Sequence, residues 1–195
     1  MRSLKNYIKQ KGDEVNAMKQ RVKDHIDRVQ YFYKLMCDEN LIPDEFRNDE
    51  EVKVHDKDKF EPKNLKRQAL RFLKDRTPEM DQQITDVVRE HIKNNPHHFE
   101  HWGGPGCDQF SNNIDCSSMP MKYVYEMLAD WASTAEEKGN TVTSFYEDHV
   151  GSKFNFSKEQ DAVIRECAKL LDKHIDPSLK RSYSNVYADP SKIQK

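Results

Sequence analysis

The chain has 195 residues, which suits one domain and is long enough to bury a real core. Its charged residues (34%) nearly match its apolar ones (35%), and a formal net charge of −2 gives no basic field to draw it to nucleic acid or an anionic membrane. Aromatic residues make up 10% and recur along the chain, which separates it from a disordered sequence.

No apolar stretch reaches bilayer length and no signal-like apolar segment opens the sequence, so the expected compartment is cytoplasmic. In that compartment Cys37, Cys107, Cys116 and Cys167 read as free thiols, since none forms a C-x-x-C pair. The eight-residue gap between Cys107 and Cys116 matches no common zinc knuckle.

In chain order, Val15, Met18, Val22, Ile26, Val29, Phe32 and Met36 step by three or four and predict a long amphipathic helix. A polar turn around Pro43 follows, then a short segment, Glu51 to Asp56, that carries His55 and Asp56. Leu65, Ala69, Leu70, Phe72 and Leu73 mark a second helix. Thr77 and Pro78 have the cap and first-turn chemistry of a third, running through Val87 and His91 to about Asn94. Asn95-Pro96 opens a turn with His97, His98, Glu100, His101 and Trp102. Gly103 to Met119 reads as an ordered loop or lid. Pro120 opens a helix through Met127 and Trp131 to about Gly139, and Ser157 with Gln160 has capping-box spacing for the last one. The fold expected is all-α, one bundle of about six to seven helices over residues 1–175, with a polar tail over 176–195.

Several polar groups fall where apolar ones belong. His25 lies three residues after Val22 and four before Val29, so it shares the buried face of its helix. His91 stands in the same relation to Val87 and Val88, and Asp130 falls three residues after Met127. A buried carboxylate without a partner is costly, so a cation or strong donor should face Asp130. His55 and Asp56, adjacent at a bend, can aim a nitrogen and an oxygen at one ion. His97, His98 and His101 add imidazoles, with His97 and His101 expected on one helical face and His98 about a quarter-turn away. Lys59 is placed to meet a phosphate or carboxylate as a point charge. Taken singly, each group has a plainer reading: a satisfied core histidine, a structural ion pair, a solvated lysine.

The ordered set H…HD…H…HH…D resembles the HD superfamily of metal-dependent phosphohydrolases, over about Val22 to Asp130. The strings H-x-x-R-V, HD-x-x-KF, NPHH-x-EHW and EML-x-DW are similar to those of an uncharacterised group of small HD-like proteins of bacteria and phages. The resemblance implies His25, His55, Asp56 and Asp130 as ligands of one ion. It implies His91 with one of His97, His98 and His101 as ligands of a second. It further implies one or two divalent metals (Fe, Mn, Co, Zn or Mg), Asp56 as the bridging ligand, and Lys59 and Arg28 as catalytic cations. A small phosphorylated substrate, a nucleotide or phosphoester, would lie under the Gly103–Met119 loop with Trp102 as a stacking surface. The GYP motif of the cyclic-dinucleotide branch is missing, and Lys59 replaces the acid of the deoxynucleotidase branch, so neither substrate carries over. A di-iron oxygenase and a non-catalytic metal- or nucleotide-binding module are the alternative readings. Oligomeric state stays open, with a homo-oligomer as one outcome.

Overall fold

A computed structural model gives the fold; it describes residues 4–73 and 75–176, with side chains from residue 13 onward. The expected tail therefore lies outside the described residues, Asp176 excepted. Seven α-helices are present among them: α1 (Leu4–Asp38), α2 (Asp49–Lys53), α3 (Pro62–Ala69), α4 (Pro78–Asn94), α5 (Met121–Lys138), α6 (Val142–His149) and α7 (Lys158–His174). The chain is all-α in class, as its periodicity predicts.

The helix ends follow from local chemistry. Thr77 Oγ1 accepts from the Met80 N–H ahead of Pro78, and the Ser157/Gln160 capping box forms in both directions. Gly139 closes α5 in the left-handed conformation at φ 68°, where an L side chain would be strained. Helix α6 is an addition to the predicted elements. Its eight residues are too few to display a clear period, and Thr141, which caps it by accepting from the Ser144 N–H, sits just after that glycine.

Helix α5 is the axis of the bundle. Val124, Met127, Leu128, Ala129 and Ala132 are all fully buried on it. Helices α1 and α7 pack on α5, α6 packs on α7, and α3 joins α1 to α4. The main core runs through Val29, Phe32, Met36, Leu128 and Leu171, while Met18, Val22, Leu65, Ala69 and Phe72 form a separate smaller one between α1 and α3. Two short strands, β1 (Ile114–Asp115) and β2 (Phe154–Asn155), pair in parallel and fasten the long loop to the bundle. Gln160 tightens it further, donating to the carbonyls of Met119 (2.7 Å) and Cys116 (3.2 Å). Below the strands Phe154 stacks on Trp131 and Tyr146. No described helix is long and apolar enough to cross a membrane.

Candidate metal centre

Each polar group in the site is delivered by a particular piece of backbone. The apolar stripe of α1 points Val22 and Val29 into the core and carries His25 with them, between α1 and α5. His55 and Asp56 follow the short α2, and Asp56 adopts a left-handed backbone at φ 56°. That conformation costs a residue other than glycine about 1–2 kcal/mol, less for Asp, and it persists only when the surroundings demand it. Here it turns the chain so that the Asp56 carboxylate is buried beside His55. His91 is in the last turn of α4, His97 and His98 lie in the turn after Pro96, and Asp130 stands mid-α5.

Two groups of donors share Asp56, and a third combines His55, His97 and Glu126. In the first, one atom each of His25, His55 and Asp56 lie within 4.8 Å of one another. Asp130 Oδ1 joins them, 3.0 Å from His25 Nε2 and 3.9 Å from His55 Nε2. In the second, Asp56, His91, His97 and His98 meet the same limit. The Asp56 carboxylate divides between the groups. Its Oδ2 is 3.2 Å from His25 Nε2 and 3.5 Å from His55 Nε2, and its Oδ1 is 3.0 Å from His91 Nε2 and 3.6 Å from His97 Nε2. His98 Nε2 lies 2.9 Å from His91 Nε2, so a proton or a common cation must stand between two nitrogen lone pairs.

Behind the donors a second layer holds the far nitrogen of four of the five rings, those of His25, His55, His91 and His97. Glu126 Oε1 accepts from His55 Nδ1 (2.9 Å) and meets His97 Nδ1 at 3.2 Å, one oxygen serving a ring from each group. Asp58 Oδ2 accepts from His91 Nδ1 at 2.8 Å, and Ser133 Oγ lies 3.0 Å from His25 Nδ1. Protonating Nδ1 leaves the Nε2 lone pairs facing inward, the tautomer that a metal ligand needs.

The carboxylates of the cluster are held ionised, and they in turn outweigh burial to raise His25 and His91. Burial alone would raise Asp56, but His55, Lys59 and His91 around it hold its carboxyl well below the usual range. Asp130 is lowered likewise, burial being outweighed by His25 and His55. Glu126 is also opposed by burial, yet its contacts with His55 and His97 bring it to about 2. Burial, then the neighbouring His97 and His91, push His98 far down, so it is a neutral imidazole at pH 7. Against these ionised carboxylates, four buried atoms of the cluster have no hydrogen-bond partner: His25 Nε2, His55 Nε2, His97 Nε2 and Asp56 Oδ1. Carboxylate oxygens approach the three nitrogens, but none in hydrogen-bond alignment. Each orphaned buried polar atom costs about 1–3 kcal/mol, and a cation in each donor group would satisfy all four. The buried His/Asp cluster can hold a metal ion.

Next to the donors lies a cavity of about 210 Å³, with His25, His91, His98 and Asp130 on one wall. Lys59 lines it too and contacts Asp56 Oδ2 through its ammonium. Arg28 does not: it pairs with the buried Glu136 and lies over the rings of Tyr31 and Phe32. The cations that line the cavity besides Lys59 are Arg21 and Arg71, and Arg21 also meets Glu137 at 2.8 Å. His97 and His98, not His97 and His101, share the inward direction, because the chain there is a turn followed by a 3-10 segment rather than a regular helix. His101 instead faces the Ile92 carbonyl at 3.1 Å. Trp102 is held by its own N–H, which donates to the Pro96 carbonyl (2.8 Å), and it packs near Tyr123, outside the cavity. The Gly103–Met119 loop contributes no cavity-lining residue. Its β-pairing holds it on the other side of α4, where Gly104 to Asp108 line a separate hollow with Arg89 and Lys93.

Three members of the supporting layer are additions to the predicted site, although spacing signals them. Glu126 precedes Asp130 by four residues and Ser133 follows it by three, so both share its helical face, and Asp58 lies inside the charged run HDKDK. Arg21 stands one turn before His25 in the same way.

Comparison with curated proteins and with solved structures gave no match. A family model described as a family of unknown function (DUF5662) matches residues 14–176. That range takes in every donor of both groups and their supporting layer, and the chain belongs to that family.

Proposed function

We propose that the chain is an HD-type metal-dependent phosphohydrolase that acts on a nucleotide or small phosphoester. The observation that carries the reading is the division of the Asp56 carboxylate between two donor groups beside a cavity with cationic walls. His25, His55, Asp56 and Asp130 would hold one divalent ion, and Asp56, His91, His97 and His98 a second. The mixed nitrogen and oxygen donors suit Fe, Mn, Co or Zn better than Mg. Bound there, such ions supply Lewis acidity and turn a water into a nucleophile near neutral pH. The chain's own residues do the rest. Glu126, Asp58 and Ser133 fix the rings, while Lys59, at the cavity wall, neutralises charge that grows on the phosphoryl oxygens.

The test joins metal analysis of protein purified without a His tag to a screen of phosphoesters with Mn, Co, Zn and Fe. Lys59→Ala should keep its metal and lose about 10- to 1000-fold in turnover, as expected for a contact that strengthens in the transition state. Asp56→Asn should lose both metal and turnover while its helical circular dichroism stays unchanged. Full turnover in Lys59→Ala would remove that lysine from the chemistry, and full turnover in Asp56→Asn would make the shared carboxylate structural. Five imidazoles against two carboxylates also suit a di-iron oxygenase, and an absolute need for Fe and dioxygen would select that reaction instead. Metal retention without turnover on any ester would favour a binding module.

A further inference from the structure

The walls of the cavity beyond the metal donors differ from one another, and the difference bears on what fits there. Lys59, Arg21 and Arg71 bring positive charge, which suits an anionic head. Gln68, Thr134 and Glu137 add an amide, a hydroxyl and a carboxylate. Gln68 is 7% exposed, and what exposure it has lies in the cavity wall. Its amide atoms open onto the cavity, where water or a ligand hydroxyl can satisfy them. Val22, Val87 and Val88 supply a short apolar wall. Apart from the imidazoles of the metal donors, no described lining residue is aromatic, so a nucleobase would find no aromatic face to stack on. The volume of about 210 Å³ is also below the roughly 300–1,000 Å³ of pockets that enclose drug-sized ligands.

We infer that, within the phosphohydrolase reading on which this rests, the substrate is a small phosphomonoester of a polyol or sugar. Its hydroxyls are read by Gln68, Thr134 and Glu137, and its phosphate faces Lys59 and the metal donors. The reaction is a hydrolysis: water oxygen bonds to phosphorus, the phosphorus–oxygen ester bond breaks, and the freed polyol oxygen leaves with a proton.

Four esters presented to the metal-loaded full chain test this: glycerol 3-phosphate, sorbitol 6-phosphate, n-hexyl phosphate and adenosine 5′-monophosphate. The polyol esters should exceed the other two in kcat/KM by about 10-fold or more, the scale of one or two hydrogen bonds to hydroxyls. Gln68→Leu and, independently, Thr134→Val should narrow the ratio of sorbitol 6-phosphate to n-hexyl phosphate. Calorimetric titration with the phosphonate analogue of sorbitol 6-phosphate gives a readout without turnover, and it should weaken in both variants at constant metal content. Preference for adenosine monophosphate would overturn the inference and leave the phosphohydrolase standing. Equal rates for hexyl and sorbitol esters would remove the hydroxyl-reading role. No hydrolysis of any ester would remove both.

Discussion

Asp56 shows how one residue can serve two donor groups, but the oxygen behind the rings does something similar. Glu126 Oε1 touches His55 from the first group and His97 from the second, while Asp58 and Ser133 each serve one ring. A change at Glu126 should therefore be felt at both groups together. Glu126→Gln keeps the shape and removes the charge. Metal affinity should fall by about 10- to 100-fold for each ion, the usual effect of losing a partner behind a ligand. Titration of the metal-free protein with Co, followed by absorbance, reads both steps. Weakening of one step with the other intact would show that the two rings are oriented separately. Much of this residue scale is legible in the sequence. An imidazole or carboxylate on an otherwise apolar helical face declares itself by period alone, which is how His25, His91 and Asp130 stand out. Arg28 is different, because its sequence spacing matches that of a residue near the site, and only the buried Glu136 opposite it decides its direction. His101 and Trp102 depart from expectation for a related reason: a 3-10 turn does not keep the helical angle on which their placement depends.

Elements with a long period are legible and short ones are not. Helix α1 announces itself over seven apolar positions, whereas β1 and β2 have two residues each and no alternation to read. Yet this strand pair decides where the long loop goes. It ties Ile114 to Lys153 and Cys116 to Asn155, and Lys153 Nζ donates to the carbonyls of Gln109 and Ser111. A segment that reads as a lid from its glycines and prolines is thus fastened away from the cavity. Phe154 is central to that fastening, being fully buried against Trp131, Tyr146 and Phe99. Phe154→Ala should cost about 3–5 kcal/mol of unfolding free energy, the range for a large aromatic removed from a core. Metal content of the folded fraction should persist, because Phe154 touches none of the donors. Chemical denaturation beside metal analysis checks both parts, and loss of metal from folded protein would tie the strand pair to the site.

At the scale of the whole molecule, the bundle encloses more polar groups than its apolar core would favour. Five imidazoles and the carboxylates of Asp56, Asp130 and Glu126 converge between α1, α4 and α5, next to a core split into two clusters. Orphaned donors cost about 1–3 kcal/mol each, while a domain's whole stability is about 5–15 kcal/mol, so the metal-free chain should sit near the low end. A ligand that binds only the folded state shifts the balance by mass action, about 2.7 kcal/mol when present at a hundred times its Kd. For a chain of this size each kcal/mol moves Tm by about 2–4 °C, so chelation should lower Tm by about 5–10 °C. Readdition of Mn, Co or Zn should restore it, with Tm rising as free metal rises. Asp56→Asn, having lost the shared ligand, should melt at one temperature with or without metal. Differential scanning calorimetry over a series of free-metal concentrations makes the comparison. A melting temperature in the parent chain indifferent to chelator and metal alike would leave the buried histidines as a costly core and remove the metal from the account of this fold.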